Sequence, residues 1–447
     1  MHATLARDPA PPITWERATL NDELFRRPPV PVADGALIVH TAMVQNADEA
    51  AQSVQRLRSL LTSAELTRPG DSRNYEVLHT GRSYLKWERH TEFTTYTLVT
   101  MPSSSDPFVA DAECVLPKNW MAELEGQRIA ATKIRVIAPD DAATLEQAIA
   151  VLRPEAASSL VTDGQARIWM DCSIHADACT RGILLDQGLQ LDRRSRLVQR
   201  LLEIETYRML TMLGFPPART VMAELHALEH QLRVLVARVA DSDTDADLDG
   251  DEATLHELLE LASEVERLSA HNAYRFDASR AYFDLVQERL EELREERIQG
   301  YQRLGNFLGR PLRPAIKTVD AVRRRLESLS GHIDHTASLI RTRVDLRVQR
   351  QNRHLLHSMN RRAALQLRLQ QTLEWLTVVA MSYYGIGIVL YIAKALDKLG
   401  VPIEPNLVAG GAAPLVIGAS WWLVHTVRVM LRKHGEHHGS ADSGAID

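Results

Sequence analysis

Trp375–Ala393 reads WLTVVAMSYYGIGIVLYIA and Pro405–Val427 reads PNLVAGGAAPLVIGASWWLVHTV, and neither run contains a charged side chain. A helix crosses the hydrocarbon core in roughly 20 predominantly apolar residues, so each run can span once. Lipid offers no partners to backbone N–H and C=O groups, so both runs are expected to be helices, packed as a transmembrane hairpin. The competing reading is a helical hairpin buried in a soluble core. Arg353, Arg361, Arg362 and Arg368 precede the first run and Arg428, Arg432 and Lys433 follow the second. The connection Lys394–Glu404 carries only Lys394, Asp397, Lys398 and Glu404. Cytoplasmic flanks collect Lys and Arg, which predicts a multi-pass membrane protein with both termini cytoplasmic and the connection outside. Trp375, Tyr391, Trp421 and Trp422, with Arg428, Arg432 and Lys433, are the expected interfacial anchors.

Working outward, everything before Trp375 is a large soluble part. The chain has 447 residues, 45% hydrophobic and 25% charged, which suits a folded protein of two or three units. A net charge of −6 carries no general nucleic-acid signature, so no nucleic-acid partner is expected. Three cysteines make no disulfide framework and suit a reducing compartment. The opening MHATLARDPAPPITWERATL lacks an apolar run of signal-peptide length, which agrees with a cytoplasmic soluble part.

Residues 1–35 are Pro-rich and read as extended, with Asn21–Arg27 as a helical turn. Ala36–Val44 reads as a buried strand, followed by a helix over Asp48–Ser63. Asn74–His79 and Tyr84–Glu88 flank Thr80-Gly81-Arg82 as a hairpin, and Phe93–Met101 is rich in β-branched and aromatic residues. Ile129–Ala138 reads as a strand, Asp140–Leu152 as a helix, and Gln165–Ile174 with Gly182–Leu185 as closing strands. The order predicts an α+β domain over 36–190 with a largely antiparallel sheet of meander order.

Over 191–374 the period becomes helical. Arg193–Leu213 is expected to pack on the sheet. Val221, Leu225, Leu228, Leu232, Leu235 and Val239 recur at heptad spacing. So do Val322, Leu326, Leu329, Ile333, Thr336 and Ile340, while Phe276, Phe283, Val286, Leu290 and Leu293 follow a related pattern. These predict a coiled-coil stalk. Gly309–Pro314 holds Pro311 and Pro314 and is expected to break the helices, with helices over Glu252–Phe307 and from Pro314 onward forming an antiparallel pair. Between these elements lies an acidic linker over 241–252. An EF-hand frame from Asp245 gives Asp247, Asp249 and Gly250, but puts His256 where a bidentate Glu is required, so a solvated linker is the stronger reading.

Lys86-Trp87-Glu88-Arg89-His90-Thr91-Glu92 is the most polar strand-like stretch. At period two Lys86, Glu88, His90 and Glu92 share one face. They are the candidate surface for a small ligand or protein partner, together with His175; the plainer alternative is a solvated sheet face. Cys172, His175 and Cys179 form C-x2-H-x3-C and lack a fourth zinc ligand, which Asp171 or Asp177 could supply; core cysteines with a hydrogen-bonded histidine are the stronger reading. The tail histidines His434, His437 and His438 read as a polar juxtamembrane tail over 428–447. Gly385, Gly387, Gly410, Gly411 and Gly418 allow close helix contact within the spans. No G-x-S-x-G, Walker A, G-x-G-x-x-G or H-E-x-x-H motif occurs, so no cofactor and no catalytic residues are assigned.

LNDELFRRP (Leu20–Pro28), KWERHTEFTTYT (Lys86–Thr97), IWMDCSIHADACTR (Ile168–Arg181) and RLVQRLLEIETYRMLTMLGFP (Arg196–Pro216), with the paired C-terminal runs, resemble a family of uncharacterised, predicted membrane-anchored bacterial proteins, a domain of unknown function. The resemblance covers nearly the whole chain and implies anchoring in a bacterial inner membrane, with no residue roles to carry over. The acidic insert looks peculiar to this sequence. The layout is also similar to CorA-type magnesium channels, but Ala393–Gly400 (AKALDKLG) lacks their Gly-Met-Asn motif. The resulting expectation is a non-enzymatic, self-associating membrane scaffold or sensor. Its rivals are an oligomeric cation channel or transporter and a membrane-tethered hydrolase using His90, Glu92 or His175.

Overall fold

The computed structural model describes residues 28–63, 74–80, 83–103, 106–110, 116, 120–241, 248–398 and 404–439. It is a mixed α+β protein in two compact units, Met1–Ser338 and Leu339–Asp447. The first unit is built on a nine-stranded sheet of β1 (Leu37–Val44), β2 (Tyr75–Thr80), β3 (Ser83–Arg89), β4 (Phe93–Thr100), β5 (Gln127–Ile137), β6 (Ala157–Val161), β7 (Ala166–Met170), β8 (Thr180–Asp186) and β9 (Glu296–Arg297). Its order is β2-β3-β4-β1-β5-β8-β7-β6-β9. The sheet is therefore no simple meander: β1 lies between β4 and β5, and β5 pairs with β8 in parallel, the remaining pairs being antiparallel. Local pattern marks seven of these strands and misses β6 and β9, and it does not rank neighbours, because pairing is decided between distant segments.

Two helices, α1 (Ala47–Ser63) and α2 (Ala142–Val151), cover one face. Asn46 and Glu49 cap α1 reciprocally, each side chain accepting from the other's backbone N–H at 2.9 and 2.8 Å. Asp141 caps α2 by accepting from the Thr144 amide at 3.2 Å. Leu57, Leu78, Leu85, Trp87, Tyr96 and Leu98 form the core under α1. Leu37, Ile137, Trp169 and Ile183 form the core under α2. On the opposite face lies α3 (Leu191–Met212), whose Leu197, Val198, Leu201 and Leu202 pack with Ile38, Ile134, Val136 and Leu184.

The helical part continues with α4 (Phe215–Asp241), α5 (Leu248–Glu292) and α6 (Leu304–Lys398). Their heptad faces are buried: Val221, Leu225, Leu228, Leu232 and Leu235 on α4, and Val322, Leu326, Leu329 and Ile333 on α6. Ion pairs cross between the helices, Arg325–Glu229 at 2.7 Å, Arg238–Glu257 at 2.6 Å, and Arg280–Asp320. Residues 242–247 of the acidic linker lie outside the described residues, but Asp249, Gly250, Asp251 and Glu252 belong to α5, so Gly250 makes no calcium-loop turn.

The expected break at Gly309–Pro314 does not occur, since α6 runs through Pro311 and Pro314. Both prolines are exposed, so the two missing amide donors lie on the solvent side of the helix. Leu308, Leu312, Ala315 and Ile316 hold the other side of the helix in the core. The true interruption is at 293–303, where β9 joins the sheet edge. There Glu295 accepts from the amides of Leu304 and Gly305 at 2.9 and 3.0 Å and from the Ser159 hydroxyl at 2.9 Å. A carboxylate at those free amides starts α6 and ties it to β6.

The second unit contains the rest of α6 and α7 (Pro405–Gly439), which extends past Val427 as helix. Both helices are long and apolar enough to cross a membrane, and only 17% and 11% of their apolar windows are buried. That low coverage departs from a hairpin buried in a soluble core. At Gly385 the helices touch so closely that an added Cβ would lie 2.6 Å from Val416 Cγ1, whereas Gly387, Gly410, Gly411 and Gly418 face open space.

Candidate functional site

Direct cross-strand partners place their side chains on one face of a sheet. Lys86 opposes Thr97, Thr97 opposes His40, His40 opposes Thr132, and Thr132 opposes Thr180. A polar row thus crosses the sheet from β3 to β8 on the α3 side, and all of it is buried. Apolar residues flank it, with Ile38, Val99 and Ile134 in the row on one side.

Helix α3 lays Glu205 and Thr206 onto this row. His40 is held at both ring nitrogens, Nδ1 to Thr97 Oγ1 at 2.8 Å and Nε2 to Thr206 Oγ1 at 3.0 Å. Hydroxyls can donate or accept, so one neutral tautomer satisfies both. Burial, then the nearby Lys86 and His90, push the His40 pKa down to about 3. It is a neutral hydrogen-bonding group at physiological pH. Glu205 accepts from the Thr180 hydroxyl at 3.3 Å and from Arg208 Nη2 at 2.6 Å. Burial disfavours the Arg208 cation, but the Glu205 charge more than offsets this and raises its pKa. The Thr132 hydroxyl is buried with no hydrogen-bond partner among the described residues.

Along the edge of α3 this row opens into a cavity of about 260 Å³. Its floor is β1, β4 and β3 and its wall is α3. One end is apolar, with Val32, Ile38, Val99 and Val198; the other is aromatic, with Phe93 and Tyr207; Thr95, Thr97 and Gln199 are polar groups between them. Lys86 and Glu88 lie on the floor as an ion pair of 3.0 Å, the lysine side chain only 4% exposed. Glu203 in the wall is engaged by Arg289 and by Gln199 at 2.7 Å. The charges lining the cavity are therefore already matched.

The proposed face splits at its end. Lys86, Glu88 and His90 line the cavity, and His90 stacks on Phe93 at 4.2 Å. Glu92 does not line it, because β3 ends at Arg89 and Thr91-Glu92 form a tight turn closed by the His90 amide donating to Phe93 O at 2.8 Å. Glu92 instead pairs with Arg275 on α5 at 2.6 Å. His175 is elsewhere, held by Asp171 at 2.6 Å. So His90, Glu92 and His175 do not converge as a hydrolase would require.

Strand β7 ends at Met170, and Cys172 takes φ 51° in the loop beyond, so Cys172 and His175 lie past the end of the strand expected over Gln165–Ile174. Burial and the Glu205 charge push the Cys172 thiol well above its ordinary range. Burial, then Asp177, raises Cys179, whose thiol faces Asp177 O at 3.5 Å. Burial would raise Asp177 too, but hydrogen bonds from Arg181 and Lys133 prevail and hold it at about 2. Among the described residues no group of three His, Cys, Asp or Glu side chains is placed to hold a metal ion. In the second unit Trp375, Tyr391, Trp421 and Trp422 are exposed, and Trp421 stacks on His425 at 5.3 Å. Arg428, Arg432 and Lys433 belong to α7, but their side chains lie outside the described residues.

The model of a family described as protein of unknown function (DUF3422) matches residues 14–431. The chain belongs to that family. No curated protein matches it. A solved structure titled "structure of the full-length CmaX protein" is similar at 14% identity, over 70% of this chain and 93% of that chain, with a TM-score of 0.15. That score is too low to carry an argument about fold or function.

In this DUF3422 chain, three of the stretches that carry the family resemblance meet at the polar row. Lys86–Thr97 supplies Lys86, Glu88 and Thr97, Ile168–Arg181 supplies Thr180, and Arg196–Pro216 supplies Glu205, Thr206 and Arg208. Spacing alone does not single out His40, Thr132, Glu205 or Thr206. The available signal is a histidine inside the apolar strand ALIVHTAMV and the threonine-rich FTTYTLVTM. The register that joins them is a tertiary property.

Proposed function

We propose that this chain is a membrane-anchored, non-enzymatic sensor or scaffold whose sheet unit holds a small ligand in the cavity beside α3. Two helices of spanning length and composition support the anchor, and the basic flanks favour cytoplasmic termini. The observation that carries the ligand reading is the buried polar row opening into a cavity with apolar and aromatic ends. Buried polar groups are costly to keep, and a concave, mostly apolar space with a few convergent polar groups is the usual form of a binding site. Among the described residues no arginine lines the cavity, and the one lysine that does, Lys86, is neutralised by Glu88. The fit is to an uncharged molecule with a hydrogen-bonding centre and apolar ends, smaller than a nucleotide.

Native mass spectrometry of the detergent-extracted full-length protein tests this. A small uncharged molecule should co-purify with the chain, and Val198→Phe, which fills the cavity, should release it. Retention of the molecule by the filled variant overturns the cavity assignment. Full-length protein left in the supernatant after high-speed centrifugation without detergent overturns the anchor.

A further inference from the structure

The heptad face of α6 that packs in the first unit does not continue in phase through the second. From Val348 a different stripe begins, formed by Val348, Leu355, Met359, Leu369 and Leu373. These side chains are 44% to 66% exposed. Their separations of 7, 4, 10 and 4 residues keep one heptad phase, with Asn352, Arg362 and Gln366 filling the remaining positions. The phase carries on into Leu376 and Ala380 of the apolar run, so it is one seam about 40 Å long before Trp375 is reached.

Charge is segregated about this seam. The positions that would flank it, among them Gln349, Gln351, Ser358, Leu365 and Gln370, carry no charge. Arg350, Arg353, Arg361 and Arg368 occupy the outward positions. A basic helix would ordinarily repel a copy of itself, yet here copies aligned in parallel meet along a strip whose one charged member is Arg362, with uncharged borders and Arg350, Arg353, Arg361 and Arg368 turned away. An exposed apolar surface of this extent on a single chain marks an interaction site. An anionic bilayer is the less suitable occupant, because the stripe starts about 40 Å of helix before the apolar run and its arginines do not border it.

We propose that the stripe from Val348 to Leu373 is the seam along which a second copy of this chain associates in parallel. Asn352, Arg362 and Gln366 interrupt the seam and set its register at a cost in strength, as polar core positions do in coiled coils. The parallel sense rests on the anchoring proposed above, while the seam itself does not.

Single cysteines placed in the full-length chain in membranes, and oxidised with copper-phenanthroline, test it against the unmodified chain. Leu355→Cys, Met359→Cys and Leu369→Cys should each give a same-position crosslinked dimer. Arg350→Cys, Arg361→Cys and Arg368→Cys should not. Crosslinking that is equal at both sets, or absent at the seam, overturns the proposal. So does quenching of a dye at position 355 or 359 by spin-labelled lipid, since that places the stripe against the bilayer. In detergent at fixed protein concentration, Arg362→Leu should raise the associated fraction several-fold, and Leu355→Lys with Met359→Lys should abolish it. If the lysine pair prevents folding, the cysteine pattern and Arg362→Leu decide. Seam crosslinks in a chain that no longer pellets with membranes sink the anchoring reading and leave the seam standing.

Discussion

The two units break the usual inside–outside rule in opposite senses. Between the sheet and α3, groups that prefer water are buried: His40, Lys86 and Glu205. From Leu339 onward, groups that avoid water are exposed: Leu355, Leu369, Trp375 and Tyr391 among them. An isolated exposed leucine needs no explanation, but a buried lysine or a continuous exposed apolar helix does. In the first unit the misfit is compensated internally, by Glu88, Thr97, Thr206 and Arg208. In the second no described residue covers it, which is the basis of the anchor and the seam proposed above.

The largest expected effect separates the two units by the same substitution. Leu201→Ala on the buried face of α3 should cost about 2–5 kcal/mol in denaturant unfolding of the sheet unit. Leu355→Ala should change that transition by less than about 0.5 kcal/mol, because the side chain is already exposed. Equal losses would break the contrast. Next, Glu88→Gln leaves Lys86 buried without its counter-charge and should cost about 3 kcal/mol. Lys86→Met should cost less, since Glu88 retains access to water, and a reversed order would show the pair to be solvated.

A smaller effect is set by pH. The His40 pKa is about 3 in the folded chain against 6.5 for the free side chain. Between these values the unfolded chain binds the extra proton, so stability is lost as pH falls below about 6.5. From pH 7 to pH 5 the loss assigned to His40 is about 2 kcal/mol. In His40→Gln that part of the slope should vanish, and an unchanged slope would remove His40 as its source. Smallest is the helix contact of the second unit. Gly385→Ala, whose methyl would press on Val416, should weaken the α6–α7 pairing by about 1 kcal/mol in graded SDS unfolding. Gly387→Ala, which meets nothing, should leave it unchanged.

Much of this architecture is legible in local pattern. Alternation and β-branched content mark β1, β3, β4 and β5. The heptads of α4 and α6 name their buried faces, and the two uncharged runs mark the apolar helices. The candidate site is legible only in part. Lys86, Glu88 and His90 follow from period two on one strand, but Glu92 fails because a tight turn ends that strand one residue before His90. The metal-like spacing of Cys172, His175 and Cys179 dissolves because the chain leaves the sheet at Met170 and each side chain finds its own partner.

What the sequence by itself determines here are properties carried by a few neighbouring residues: strand and helix periodicity, the apolar runs, the basic flanks, and the uncharged borders of the Val348–Leu373 stripe. The tertiary structure alone decides which strands are neighbours, and so brings His40, Thr97, Lys86, Thr132 and Thr180 into one row beneath α3. It also carries α6 through Pro311 and Pro314, placing both prolines toward water while Leu312 and Ile316 are buried. Local preference weighs at most a few kcal/mol per residue, and the burial of a helix face or the closing of a sheet between distant segments can exceed it.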